Sequence, residues 1–105
     1  MKKYKILIHG IGYEIFDEDN NPVAGFYVSV FIEATHDGEA CQRAIDFFIN
    51  SELYKTTFLP DKCPDGVLQV ESIDKLYSFD NVPYPMSGMV FYKDSDQADV
   101  PTLVH

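Results

Sequence analysis

Three histidines, two cysteines and seventeen carboxylates are the side chains from which this chain could build chemistry. His9, His36, His105, Cys41 and Cys63 contain no two residues at a zinc-binding spacing, so no metal site is expected. Cys41 falls on the apolar stripe of an expected helix and reads as a small apolar residue there. Cys63 lies in the turn-forming stretch DKCPDG. A pair of Cys63 with His9 or His36 is the one nucleophile arrangement open to it, and nothing nearby indicates an activated thiolate. In DEDNNP (17–22), Asp17, Asp19 and Asn21 match the first three ligand positions of a calcium loop. Pro22 stands where the sharp turn needs glycine and Val28 where the bidentate glutamate belongs, so the stretch reads as a hairpin turn. Gly10-Ile11-Gly12 lacks the third glycine and the following helix of a dinucleotide fingerprint. Glu33 is the most interesting carboxylate because it shares a strand face with aromatic residues, and its plain reading is a solvent-facing or edge position. We assign no catalytic residue and no cofactor, and the chain reads as non-enzymatic.

The informative residues are Tyr27 and Phe31. In GFYVSVFIEA (25–34), strict alternation sends Phe26, Val28, Val30, Ile32 and Ala34 to one side of a strand. Tyr27, Ser29, Phe31 and Glu33 go to the other. Leu7 and His9 of the first strand fall on that second face, and Val90 and Tyr92 join them from the last. Clustered exposed aromatic residues mark association sites. Tyr27, Phe31, Leu7, His9 and Tyr92 are therefore the expected partner-binding residues. Two covers are open for this face. One is another molecule, for which a second copy in a homodimer is favoured because a two-fold needs one self-complementary patch. The other is the chain's own 51–66 segment, with Leu53, Tyr54, Phe58 and Leu59.

The elements that position these residues follow from periodicity. Tyr4, Ile6 and Ile8 alternate with Lys5, Leu7 and His9 in a first strand. Tyr13 and Ile15 fall on odd positions, so a bulge within Gly10–Gly12 is expected to absorb one residue. The hairpin register then sets Ile6 and Ile8 near Ala34 and Ile32, and Tyr13 and Ile15 near Val28 and Phe26. A helix is expected over 37–50, capped by Thr35 or Asp37, with Ala40, Cys41, Ala44, Ile45, Phe48 and Ile49 as its buried stripe. The pattern lapses over 51–66, with Pro60, Pro64 and a turn at Pro64-Asp65-Gly66. A third strand spans 67–73 with Leu68 and Val70 inward, DKLYSF makes a helical turn, and a fourth strand spans 89–93. The expected fold is an α+β two-layer sandwich, a mainly antiparallel four-stranded sheet with one helix on one face (ββαββ). Residues 1–94 form the single domain and 95–105 an acidic, frayed tail.

With 46% hydrophobic residues among 105 the chain is long and apolar enough for one compact core. Its formal charge of −9 disfavours direct nucleic-acid binding and anionic membrane surfaces. Met1-Lys2-Lys3 is followed by an alternating strand rather than an apolar signal region, and no apolar run spans a membrane, so the expected location is cytoplasmic. Gly25-Phe26-Tyr27, Glu33-Ala34, Glu39-Ala40, Gly88 and Phe91-Tyr92 together resemble the GFY…EA…EA…GF.FY layout of a group of small uncharacterised bacterial proteins. The resemblance covers Met1 to about Asp94, departs from the layout at Gly88-Met89, and implies a strand–strand–helix–strand–strand domain with no known activity. Two functions remain. One is a protein-interaction or self-association module. The other is an acidic inhibitor or immunity-type protein that blocks a basic, nucleic-acid-binding surface.

Overall fold

The computed structural model describes residues 1–16, 22–57 and 66–92. Two long strands, β1 (Lys2–Phe16) and β2 (Pro22–Ala34), lead into helices α1 (Asp37–Ile49) and α2 (Glu52–Thr57). Strands β3 (Val67–Leu76) and β4 (Val90–Tyr92) follow. Every pair of neighbours is antiparallel, in the order β3-β1-β2-β4. The chain is thus α+β, a four-stranded antiparallel sheet with two short helices where a single helix was expected. Among the described residues no helix is long and apolar enough to cross a membrane.

Alternation in β1 and β2 builds the core. Tyr4, Ile6, Ile8, Phe26, Val28, Val30 and Ala34 are all buried on one sheet face and meet Ala40, Ala44 and Phe48 of α1. The alanines let the helix backbone approach the sheet, and the Phe48 ring fills the space beside Phe26, with centroids 5.7 Å apart. The α1 cap is His36 rather than Thr35 or Asp37. Its Nδ1 accepts from the Glu39 amide at 3.2 Å, while Glu39 Oε1 reaches back to accept from the Thr35 amide at 2.9 Å. These reciprocal bonds satisfy amides that the first helical turn leaves free. Ser51 ends α1 and starts α2, its Oγ donating to the Phe48 carbonyl and accepting from the Tyr54 amide. Tyr54 then packs edge-on against Phe48, with centroids 5.1 Å apart.

The register differs from the expected one. Ile6 pairs with Val30 and Ile8 with Val28. This is an even slip from the expected partners, so every side chain of the regular stretch keeps its face. The irregularity in β1 comes after Ile11, where four steps to Ile15 lie opposite the two steps from Gly25 to Val23. It therefore absorbs two residues rather than one, and Gly12 takes a left-handed φ of 79° within it. The side chains of Tyr13 and Ile15 are not among those described. Asp74, Lys75 and Leu76 pair with Lys5, Tyr4 and Lys3, so they continue β3 where a helical turn was expected. A long partner strand offers these residues a full ladder, which outweighs their weak helical pattern. Residues 17–21 of the turn expected over 17–22, Cys63, Pro64 and Asp65 of the second expected turn, Lys93 and the tail lie outside the described residues.

Candidate functional site

The sheet face opposite α1 is divided between an internally covered end and an end lined by exposed apolar residues. At the covered end, the segment after β3 runs from the β3 edge of the sheet to the free edge of β2. There the Phe31 amide donates to the Pro85 carbonyl, the Ser87 amide donates to the Ser29 carbonyl, and Val30 bridges Met86. On its way the segment lays Phe79 edge-on against Phe31, with Phe79 stacked on Tyr84 and the Lys3 ammonium over its ring. Phe31 is left only 3% exposed. Its cover is therefore internal and comes from Phe79. Of the 51–66 segment expected to supply it, the described helix α2 packs instead against α1.

The other end holds a network that draws one residue from each strand. His9 of β1 stacks on Tyr27 of β2 with ring centroids 4.4 Å apart and planes 15° from parallel. His9 Nδ1 lies 2.9 Å from Glu71 Oε1 of β3, and His9 Nε2 lies 2.5 Å from Tyr92 Oη of β4. His9 as a whole is only 7% exposed. A carboxylate can only accept, so Nδ1 carries the proton toward Glu71. In the neutral ring Nε2 then accepts from the Tyr92 hydroxyl, and in the protonated ring it donates to the Tyr92 oxygen. Either form keeps both nitrogens satisfied, which a buried polar ring requires.

Local backbone features bring these partners together. Glu71 is the extra residue of a bulge in β3, since Ile8 pairs with Val70 and Leu7 with Ser72. Having no cross-strand partner, it is free to lean toward His9. Bulges commonly re-aim a side chain in this way. Tyr92 must cross β2 to reach β1, and it does so over Gly25, its own cross-strand partner. A Cβ at Gly25 would lie 2.6 Å from Tyr92 Oη and 2.5 Å from the Gly10 carbonyl oxygen. Glycine is therefore required there both by the Gly10 carbonyl and by the passage of the tyrosine.

Of the expected partner-binding residues, His9, Tyr27 and Tyr92 come together in this network. Leu7 sits half-buried one row further along, paired with Ser29. Phe31 is separated from them beneath Phe79. Glu71 was missed, although alternation from the inward Val70 already points it to the His9 face. The apolar spacing Leu68, Val70, Ile73 also marks the bulge, since a regular strand would continue at 72. Around the network, two adjacent rows of the sheet read Val67–Ile11–Gly25–Tyr92 and Gln69–His9–Tyr27–Val90. Ile11 is 38%, Val67 50% and Val90 66% exposed. Apart from His9, none of these eight positions is acidic or basic.

A carboxylate, an imidazole and a phenol in line are the parts of a proton relay, with Glu71 orienting His9 and His9 accepting from Tyr92. Two cavities among the described residues lie elsewhere, one beside Lys2, Lys3 and Lys75 and one between Ile32 and Phe47. Among the described residues, no group of three or more His, Cys, Asp and Glu side chains is placed to hold a metal ion. The other candidates are occupied structurally. His36 caps α1, and Cys41 has its thiol pKa pushed up by burial and then by the Asp37 charge, the opposite of activation. Glu33 is exposed at the end of β2, opposite Lys3. Comparison with protein-family models, with curated proteins and with solved structures yields no match.

Proposed function

We propose that the protein is a non-enzymatic interaction module that self-associates through the sheet face around His9. The observation that carries this reading is the exposure of Ile11, Val67 and Val90 in two adjacent, nearly uncharged rows. Interface cores are depleted of charge and enriched in tyrosine, and this patch has both properties. A second copy is the favoured occupant because of the overall charge. Two chains of −9 repel one another over most of their surfaces, and they can approach most closely through a patch that carries little of that charge. The His9 imidazole would lie at the centre of the contact with both ring nitrogens already hydrogen-bonded, so burying it leaves no orphaned ring nitrogen. The binding surface is thus Tyr27, His9 and Tyr92 with Ile11, Val67 and Val90. Leu7 lies at its margin, and Phe31, covered by Phe79, lies outside it.

Sedimentation velocity over a range of concentrations and salt tests this. The expected result is a reversible dimer that persists or strengthens at high salt, and that Val90→Lys and Val67→Lys convert to a folded monomer. A wild type that stays monomeric at every concentration would overturn self-association. The alternative, blockade of a basic nucleic-acid-binding surface, rests on the charge alone and predicts binding that weakens steeply with salt.

A further inference from the structure

We propose that the pocket where the start of β1 meets the end of β3 binds a small organic polyphosphate of the nucleotide type. The pocket measures about 490 Å³ and is lined by Met1, Lys2, Lys3, Lys75, Leu76 and Tyr77. That volume lies within the range of small-molecule sites. The site is independent of the face around His9, since it lies at the opposite end of β1.

Charge is the first argument. The chain has eight basic residues against seventeen acidic ones, yet three of the eight line this one pocket. Among the described residues, none of Lys2, Lys3 and Lys75 has a carboxylate within ion-pair distance. Lys2 and Lys3 are consecutive in β1, and so are Lys75 and Leu76 in β3, so each pair projects to opposite sides of the sheet. Lys3 pairs with Leu76 and Tyr4 with Lys75, which places the three lysines around one end of the sheet, with the Lys3 ammonium resting over the Phe79 ring. Their flexible four-carbon stems allow all three to converge on one multiply charged anion. An acidic chain repels anions elsewhere, so a local positive site of this kind selects for them strongly.

The second argument separates a small molecule from a polymer. Binding a nucleic-acid strand takes basic residues along the path of its backbone, whereas this protein offers one cluster in a negative surface. A single group of adjacent phosphates matches the cluster. The third argument concerns the rest of the ligand. Tyr77 is fully exposed and Leu76 forms an apolar wall beside it. A free aromatic face next to a phosphate-sized positive site is suited to stacking a planar base.

Calorimetric titration at low salt with ATP and with inorganic tripolyphosphate, both free of divalent metal, tests the proposal. Saturable binding of ATP is expected. Lys75→Gln and Lys3→Gln should each weaken it about tenfold, a change of about 1.4 kcal/mol. Tyr77→Ala should weaken ATP and leave tripolyphosphate unchanged. Lys55→Gln on α2, outside the pocket, should leave both unchanged. Circular dichroism of each variant confirms that it remains folded. Failure of both probes to saturate would overturn the proposal. So would an equal loss on Lys55→Gln, which would show diffuse attraction only, or equal competition by a polyglutamate peptide. A Tyr77→Ala variant that binds ATP like the wild type would overturn the nucleotide assignment.

Discussion

Gly10→Ala is expected to destabilise the protein by about 2 kcal/mol, and the reason lies in one ring. Gly10 pairs with Phe26 across β1 and β2, and the Phe26 ring occupies the space beside it. A Cβ built at Gly10 would sit 2.1 Å from Phe26 Cε1 and 2.2 Å from Cζ. The ring cannot swing aside freely, because it is fully buried, with Phe48 5.7 Å away and Phe91 6.1 Å away between centroids. Overpacking of this kind costs about 1–3 kcal/mol. The middle of that range applies because the obstacle is the far edge of a side chain rather than backbone. For a domain of this size the loss corresponds to a fall in Tm of about 10 °C. Urea unfolding followed by circular dichroism measures it, and a double-mutant cycle identifies the cause. Phe26→Leu alone should cost about 1–2 kcal/mol by removing buried ring volume. In Gly10→Ala with Phe26→Leu, the new methyl occupies the space the ring has left, so the combined loss should fall short of additivity by about 1 kcal/mol or more. Gly10→Ala at wild-type stability, or two losses that simply add, would refute the steric explanation.

Phe79→Ala should cost about 2 kcal/mol, since a half-buried ring is removed together with its contacts to Phe31 and Tyr84. It should also raise the binding of a hydrophobic dye, because Phe31 becomes exposed, and unchanged dye binding would show that Phe79 is not its cover. Glu39 has its pKa lowered, first by the hydrogen bond from the Thr35 amide and then, against a smaller opposing effect of desolvation, by the charges of Arg43 and His36. A carboxyl lowered on folding adds stability that is present above its unfolded pKa, about 4.3, and lost as pH falls through the folded value. The wild type should therefore be more stable than Glu39→Gln at pH 7, with the difference closing in acid. Urea melts across a pH series would reveal a constant gap if the charge were irrelevant.

Much of the fold was legible in the sequence because its signals are local. The alternation of Tyr4, Ile6, Ile8, Phe26, Val28 and Val30 identifies the buried face without knowledge of any partner strand, since a pleated chain alternates on its own account. The spacing of Ala40, Ala44 and Phe48 does the same for α1. The site was partly legible for the same reason. His9, Tyr27 and Tyr92 could be assigned to the second face by parity alone, and so could Glu71 once Val70 was placed inward.

Tertiary structure decided everything that depends on which residues meet across long distances in the chain. Parity says which face a side chain takes, and it is unchanged by a slip of two or four residues. It could not choose between Val30 and Ala34 as the partner of Ile6. Gly10 and Gly25 illustrate the same limit. From the sequence Gly10 reads as part of a bulge, whereas in the fold each glycine makes room for an aromatic ring arriving from a neighbouring strand. The Glu71–His9–Tyr92 network needed a bulge in β3, a glycine in β2 and a short β4 to coincide, and no single stretch contains that information. The cover of Phe31 is the clearest case. An apolar residue requires burial, but what buries it is set by the path of the connection from β3 to β4, which carries Phe79 across the face.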